Sequence, residues 1–125
     1  MTVQDAYEIA LSLDFSTPQQ DDSMYDHAIA ITNLFLSETL ANENAIRHEA
    51  HMAELAAPPT MTAFDETIPY SDRIVNGGLP LFMAHILMKD DGDNVWSSRY
   101  YNMYINTVQA NTPLTHDHTI DVWRW

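Results

Sequence analysis

The sequence predicts an all-α protein: a small four-helix bundle with a kinked central apolar helix and an extended C-terminal arm. Two observations predict this class. Apolar residues recur at three- and four-residue intervals through most of the chain, which is the spacing of amphipathic helices. Proline and glycine clusters separate these segments. The 125 residues suffice for one domain with its own core, so we expect residues 1–112 to form a helical domain and residues 113–125 to form the arm.

Two helices are predicted in the first half of the chain. Thr2 and Asp5 have the spacing of a capping box, and Pro18 prevents the first helix from continuing. The Asp-Asp-Ser run at residues 21–23 favours the start of a second helix, because acids suit the positive end of a helix dipole. The apolar stripe of this second helix weakens after Leu40.

The end of the second helix is open to two interpretations. Either the helix continues to about Glu54 with a shallow contact face, or it breaks near Asn42 and Asn44. The Pro58–Pro59 pair ends all helical structure, and residues 60–69 are predicted to form an irregular loop. We expect three apolar side chains of this loop to lie over the core: Met61, Phe64 and Ile68.

The third predicted helix is the central one. It begins at Ser71 or Asp72 and has hardly any polar face, which is typical of a helix covered on all sides. Pro80, just after Gly77–Gly78, removes a backbone donor and clashes with the preceding turn. We therefore expect a kink, or two short helices of which the second starts near Leu79. The core residues of this helix are predicted to be Leu79, Phe82, Ile86 and Leu87.

The fourth helix is predicted between a turn and a proline. Residues 90–93 read as an acidic turn, Asp93 as the N-cap, and Thr112–Pro113 as the end. After Pro113, polar and apolar residues alternate as in an extended strand. The buried stripe of the fourth helix is predicted to comprise Val95, Trp96, Tyr100, Met103, Tyr104, Thr107 and Val108.

The charge balance excludes several classes of function. Eighteen acidic residues oppose five basic ones, a net charge of −13. Capture of nucleic acid or of anionic lipid needs clustered Lys and Arg, which are lacking. The chain has no cysteine, and its longest nearly unbroken apolar run, Leu79–Met88, is interrupted by His85 and is too short to cross a bilayer. We expect a protein with no signal peptide and no membrane association, made in a cytoplasm.

Candidate metal ligands occur in three places, and none has a complete pattern. His48 and His51 flank Glu49 but are three residues apart, whereas zinc proteases place two histidines four apart. His116 and His118 would point the same way on a strand but have no third ligand nearby. Residues 90–94 lack the alternating acids of an EF-hand loop. Lone His27 and His85 are predicted to be a surface and a core histidine, and we expect no catalytic residue, metal or cofactor.

The C-terminal arm is the strongest anomaly of composition. Trp123 and Trp125 stand on one side of Arg124 if the arm is extended, and Trp and Arg are the residues that anchor interfaces. Two interpretations remain open: the arm folds back on its own bundle, or it docks on a neighbouring molecule. The candidate partner-binding residues are Ile120, Val122, Trp123, Arg124 and Trp125.

Two stretches of the chain resemble the small head–tail adaptor (connector) proteins of tailed bacteriophages. The first is Ile68–Pro80, which leads from Glu66–Tyr70 into the apolar helix. The second is Leu87–Asp91 followed by Arg99–Tyr104. The resemblance covers roughly residues 66 to 108, and the remainder agrees by the order of its elements.

This resemblance implies a structural protein of the virion neck, assembled in the host cytoplasm and without enzymatic activity. It implies a four-helix subunit that forms a homo-oligomeric ring, typically of twelve copies, between the portal protein and the tail or neck proteins. Double-stranded DNA would pass through the lumen without specific binding. The arm would reach a neighbouring ring component, and an acidic lumen would let DNA slide. A lumen lined mainly by Arg47, Arg73 and Arg99 would contradict that expectation.

Two other classes of function remain as alternatives. An acidic protein that mimics DNA and inhibits DNA-binding enzymes would share the acid excess, but it should carry regular rows of acids, and Val95–Val108 carries none. A small metal-dependent helical enzyme would bind a stoichiometric metal ion through His and Asp side chains.

Overall fold

The described part of the protein is all-α, as the sequence predicts. A computed structural model describes residues 1–14 and 22–114. Outside the helices, a single antiparallel bridge joins Thr2 to Thr67 within these residues. The helices of this part of the chain are α1 (Val3–Leu13), α2 (Asp22–Glu38), α3 (Leu40–Glu49), α4 (Asp72–Asp90) and α5 (Asn94–Asn111).

The caps predicted for α1 and α5 are confirmed. The Thr2 backbone N–H donates to Asp5 Oδ2 at 3.0 Å, and the Asp5 N–H donates to Thr2 Oγ1 at 3.1 Å, which completes a capping box. At the start of α5, the Trp96 N–H donates to Asp93 Oδ1 at 3.1 Å. These short polar side chains satisfy helix N–H groups that have no partner inside the helix.

Helix α4 is the centre of the fold. Helices α1, α2 and α5 all pack against it, and α5 makes the most extensive contact. Of the predicted core residues on α4, Leu79 and Phe82 are buried, whereas Ile86 and Leu87 are half-buried. The predicted loop residues Met61 and Ile68 are buried and Phe64 packs against the core, so the expectation that they cover it is confirmed.

The second predicted helix is divided in two, so the described residues contain five helices rather than four. The break is at Thr39, earlier than the expected break near Asn42 and Asn44. The Thr39 hydroxyl donates to the Phe35 carbonyl at 2.7 Å, a bond back to the preceding turn that bends helices. Helix α3 ends at Glu49, short of Glu54, because His51 adopts a left-handed φ of 57°.

The proline in α4 does not divide the helix. Helix α4 runs from Asp72 to Asp90 through Pro80, so the alternative of two short helices is wrong. Pro80 is itself buried, and packing on several sides of α4 compensates for the hydrogen bond that proline cannot donate. Gly77 and Gly78 bring α5 close, because a Cβ atom on Gly77 would lie 2.8 Å from Thr107 Cγ2.

Side chains from α2 and α3 hold the long segment between α3 and α4. The amide of Asn33 bonds both to the Met61 N–H at 2.7 Å and to the Met61 carbonyl at 3.1 Å. Asn44 forms the same pair of bonds with Leu55, at 2.8 and 2.9 Å. Each asparagine side chain bonds to both the N–H and the C=O group of one loop residue, as a neighbouring strand would in a sheet. These bonds hold in place a segment that has no regular secondary structure.

The same segment also covers the start of α1. The Val3 and Gln4 N–H groups donate to the carbonyls of Glu66 and Phe64, and the Ile68 N–H donates to the Met1 carbonyl at 3.0 Å.

None of the five helices in the described ranges combines the length and hydropathy that a membrane crossing requires.

Candidate functional site

The outer flank of α5 differs most from the predicted burial. Tyr100, Tyr104 and Val108 are buried as expected, but three other members of the predicted stripe face outward. Their exposed fractions are 64% for Val95, 45% for Trp96 and 49% for Met103. Since the side chain of Arg99 is exposed between them, we call Val95, Trp96, Arg99 and Met103 the α5 stripe.

The spacing of the α5 stripe makes it one continuous surface. Trp96, Arg99 and Met103 follow one another at intervals of three and four residues, so they lie along the same side of the helix. Large apolar residues in such a row differ from singly scattered exposed residues, which need no explanation. The stripe is therefore a candidate binding surface.

Arg99 gives the α5 stripe a positive charge. Its guanidinium carbon lies 4.9 Å from the centre of the Trp96 ring, in a cation–π contact. In the described ranges Arg99 has no carboxylate within salt-bridge distance, whereas Arg47 and Arg73 each have one. Helix α5 itself contains no acidic residue. The stripe thus combines aromatic surface with an unneutralised cation in a strongly acidic chain.

An open groove with the opposite charge lies along α1. It has a volume of about 670 Å³, and we call it the α1 groove. Helix α1 contributes two carboxylates, Asp5 and Glu8, and no basic residue, while Ile9 is 41% exposed. Hydrogen bonds from the Thr2 N–H and hydroxyl lower the pKa of Asp5, so it is ionised at neutral pH. The groove is lined by Met1, Asp5, Glu8, Ile9, Ser12 and Asn76.

A second, smaller concavity lies on the other side of α5. It encloses about 250 Å³ between α5 and the α2–α3 junction, and its lining includes Glu38, Tyr101 and Tyr104. The Tyr104 hydroxyl donates to Glu38 Oε2 at 3.5 Å. Burial, and then the nearby Glu38 carboxylate, raise the pKa of Tyr104, so the phenol stays protonated and is no nucleophile at neutral pH.

The two histidines at the end of α3 lie on the surface of the protein. His48 and His51 are exposed, and His48 Nδ1 lies 3.6 Å from Glu54 Oε1. Glu49 is directed to Arg73 instead, with its Oε1 3.4 Å from the guanidinium. In residues 1–14 and 22–114, no three His, Asp or Glu side chains are grouped as metal ligands.

The acidic segment between α4 and α5 is a turn with a helix cap, as predicted. Gly92 has a φ of +84°, which glycine adopts without strain, and Asp93 caps α5. Asp90 Oδ2 lies 3.0 Å from His27 Nε2, so this predicted surface histidine joins α2 to the end of α4. His85 is half-buried between α4 and α5, where its Nδ1 lies 2.9 Å from Ser97 Oγ.

A buried carboxylate that the sequence analysis did not single out fixes the start of α4. Glu43 Oε1 accepts from Arg47 Nε at 3.0 Å, and Glu43 Oε2 accepts from the Ser71 N–H at 2.9 Å. Arg47 also donates to the Pro69 carbonyl. Burial, and then the negative charge of Glu43, raise the pKa of Tyr70 to about 12. The signal was the Glu43–Arg47 spacing of four residues, which pairs opposite charges on a helix.

The predicted partner-binding arm lies largely outside the described residues. Ile120, Val122 and Trp123–Trp125 fall there, as do the candidate ligands His116 and His118. The last residue that the structure describes is Leu114, whose side chain is exposed.

Two complementary surfaces, the α5 stripe and the α1 groove, are therefore the best candidates for a binding function in the described part of the chain. Comparisons of the chain with protein-family models, with curated proteins and with solved structures found no match.

Proposed function

We propose that this chain is a head–tail adaptor of a tailed bacteriophage, a structural subunit of the virion neck. In this role it forms a homo-oligomeric ring, twelve-fold by the resemblance, between the portal protein and the tail. It works by fitting against other proteins and carries out no reaction.

The observation that carries the proposal is where the resembling segments lie in the fold. Ile68–Pro80 leads into α4 and forms its first half, Leu87–Asp91 forms its end, and Arg99–Tyr104 forms the middle of α5. These segments together make up the α4–α5 hairpin, whose helices have the most extensive packing contact in the described fold. The resemblance therefore concerns the two helices that pack most extensively on one another, although most residues of Leu87–Asp91 and Arg99–Tyr104 are exposed.

The distribution of charge supports passage of DNA without binding. Arg47 and Arg73 are paired with Glu43 and Glu49, so their charge is neutralised locally. The chain as a whole carries a net charge of −13. A ring of such subunits repels phosphate, and DNA slides through a lumen that does not attract its backbone. In contrast, the acid-free α5 gives no support to the alternative of a DNA mimic.

The proposed subunit keeps the finer features expected from the sequence. Helices α1, α2, α4 and α5 form its four-helix bundle, and the short α3 follows α2 directly in the chain. Helix α4 bends at Pro80. Residues 113–125 extend as an arm toward a neighbouring ring component. In this proposal the arm contacts this component through apolar, aromatic and cationic side chains, those of Ile120, Val122, Trp123, Arg124 and Trp125.

Deletion of Trp123–Trp125 tests this function. We expect the truncated protein to keep the helical circular dichroism of the full chain but to lose attachment to portal rings, measured by co-sedimentation and by negative-stain imaging. The exposed pair Arg73–Glu49 offers a control, because Glu49→Gln changes a surface charge away from the arm and should leave attachment intact. Unfolding of the truncated chain would instead place the arm in the core, and full attachment without the arm would contradict the proposal.

A further inference from the structure

We infer that the α5 stripe of one copy of this chain docks in the α1 groove of a second copy. The inference rests on the proposed function in so far as a ring needs a repeated contact between subunits, and it names the two surfaces that make this contact. Its evidence comes from the described residues themselves, and its test needs no phage component.

The apolar parts of the two surfaces match. Val95, Trp96 and Met103 project from about 12 Å of helix, at 1.5 Å per residue. The α1 groove is open, and two of its lining residues, Met1 and the exposed Ile9, provide apolar surface against which a tryptophan ring can pack. Tryptophan and arginine are the residues that most often dominate binding energy at interfaces.

The charges of the two surfaces are opposite. Arg99 has no carboxylate partner in residues 1–14 and 22–114, and the groove presents two carboxylates, Asp5 and Glu8, against one positive charge, the Met1 amino group near Asp5. Two copies that each carry a charge of −13 repel one another over most of their surfaces. The α5 stripe is therefore a place where an acidic copy can approach another, and the acidic α1 groove is the matching surface that the chain itself supplies.

The geometry makes this contact head-to-tail. The groove includes Asn76, in the first turns of α4, whereas the α5 stripe starts at Val95, just after the other end of α4. When one such contact joins two copies, each pair keeps one free stripe and one free groove, so further copies add until a ring closes or a filament forms. The contact area is small, and a single contact is expected to be weak.

Sedimentation velocity over a concentration series up to about 1 mM detects dissociation constants as weak as millimolar. We expect the full chain to self-associate. Arg99→Glu and Glu8→Lys should each weaken this association by about tenfold or more, because each places like charges across the contact. Combining Arg99→Glu with Glu8→Lys in one chain should restore it. Lys89→Glu serves as the charge-matched control and should have no such effect.

Mixing two variants distinguishes a stripe-to-groove contact from a contact between two identical surfaces, stripe to stripe or groove to groove. Trp96→Glu keeps an intact groove, and Glu8→Lys keeps an intact stripe, so each alone should stay monomeric. Their equimolar mixture should form a one-to-one pair and nothing larger. Circular dichroism and urea unfolding of each variant verify its fold.

Three results would overturn the interface: a monomeric full chain throughout the series, self-association unchanged by Arg99→Glu and Glu8→Lys, or a mixture that stays monomeric. Portal attachment of the monomeric variants keeps the two proposals apart. Attachment by a variant that no longer self-associates leaves the adaptor role standing, and a self-associating chain that never binds portal rings contradicts the adaptor role alone.

Discussion

Glu43 shows how one side chain decides the path of a long segment. It is almost fully buried, and it accepts hydrogen bonds from Arg47 on its own helix and from the backbone and hydroxyl of Ser71. A buried carboxylate is tolerated only when its oxygens are paired. Glu43 therefore fixes where the chain enters α4, although it precedes Ser71 by 28 residues in the chain.

Replacing this carboxylate tests its structural role. We expect Glu43→Gln to lower the free energy of unfolding by about 3 kcal/mol, because the neutral amide leaves the half-buried Arg47 charge without its partner. Urea unfolding at neutral pH measures the difference. Glu49→Gln removes an equivalent charge from an exposed pair and should change stability by less than about 0.5 kcal/mol. Equal effects of the two substitutions would show that Glu43 is not a clamp.

Asp14 is a second carboxylate with an unusual environment. It is the C-cap of α1, and its Oδ1 is buried with no hydrogen-bond partner among the described residues. Burial, and then the charge of Asp91, raise the pKa of Asp14 to about 6. Because the folded protein holds this proton more tightly than the unfolded chain, ionisation of Asp14 destabilises the fold.

This pKa predicts how stability depends on pH. The unfolded chain loses the Asp14 proton near pH 3.8 and the folded protein near pH 6, so the contribution of Asp14 to stability falls as the pH rises through this window. Asp14→Asn should therefore be more stable than the unchanged chain at pH 7, by about 1 kcal/mol, since solvent screens a partly exposed carboxylate. The difference should vanish below about pH 4. A difference that is constant from pH 4 to pH 7 would contradict the raised pKa.

At the scale of single elements, α5 shows that the periodicity of apolar residues does not decide which of them are buried. The sequence predicts one apolar stripe, yet Tyr100 and Tyr104 turn to the core while Trp96 and Met103 turn to solvent. Helix α5 makes its main contact with α4 and is therefore covered on one side. The apolar residues of α5 span a wider arc than the side that α4 covers. Those outside the covered side stay exposed, and they form the α5 stripe.

Helices α4 and α5 approach so closely that two glycines are needed in α4. A Cβ atom on Gly77 would lie 2.8 Å from Thr107 Cγ2, and one on Gly78 would lie 3.0 Å from Val108 Cγ2. In a helix interior, glycine is less favourable than alanine by about 1 kcal/mol. Close packing of the two helices offsets this cost, which explains why the glycine pair is found inside the central helix of the described fold.

A double-mutant cycle tests this close approach. Gly77→Ala alone should lower the free energy of unfolding by about 1 kcal/mol, because steric overlap with Thr107 exceeds the gain in helix propensity. In a Thr107→Ser background, which lacks the opposing methyl group, the same substitution should raise stability by about 1 kcal/mol. Urea unfolding of the four proteins gives the coupling. Identical effects of Gly77→Ala in both backgrounds would exclude the contact.

For the whole molecule, net charge and assembly are linked. A charge of −13 on 125 residues disfavours any contact between copies unless a local surface reverses the sign. In the described ranges, Arg99 on the acid-free α5 offers such a surface, and the α1 groove offers the acidic counterpart. We propose self-association through these surfaces and attachment through the arm as separate properties of one subunit, and their tests therefore use different variants.

The sequence by itself determined the all-α class and the helix boundaries that local chemistry sets. Thr2 with Asp5, Asp93 and Thr112 all act within one or two turns, so their positions in the chain suffice to place the start of α1 and both ends of α5. The acid excess, and with it the expectation of little affinity for nucleic acid, also follows from composition alone.

The tertiary structure alone decided which apolar residues are buried and which polar ones are structural. Asn33 and Glu43 look like surface residues in a helical pattern, but they bind backbone groups 28 residues away. Pro80 lies inside a continuous α4, and Trp96 lies outside the core. These outcomes depend on contacts between residues far apart in the chain, and periodicity within one segment carries no information about which neighbour covers which side of a helix.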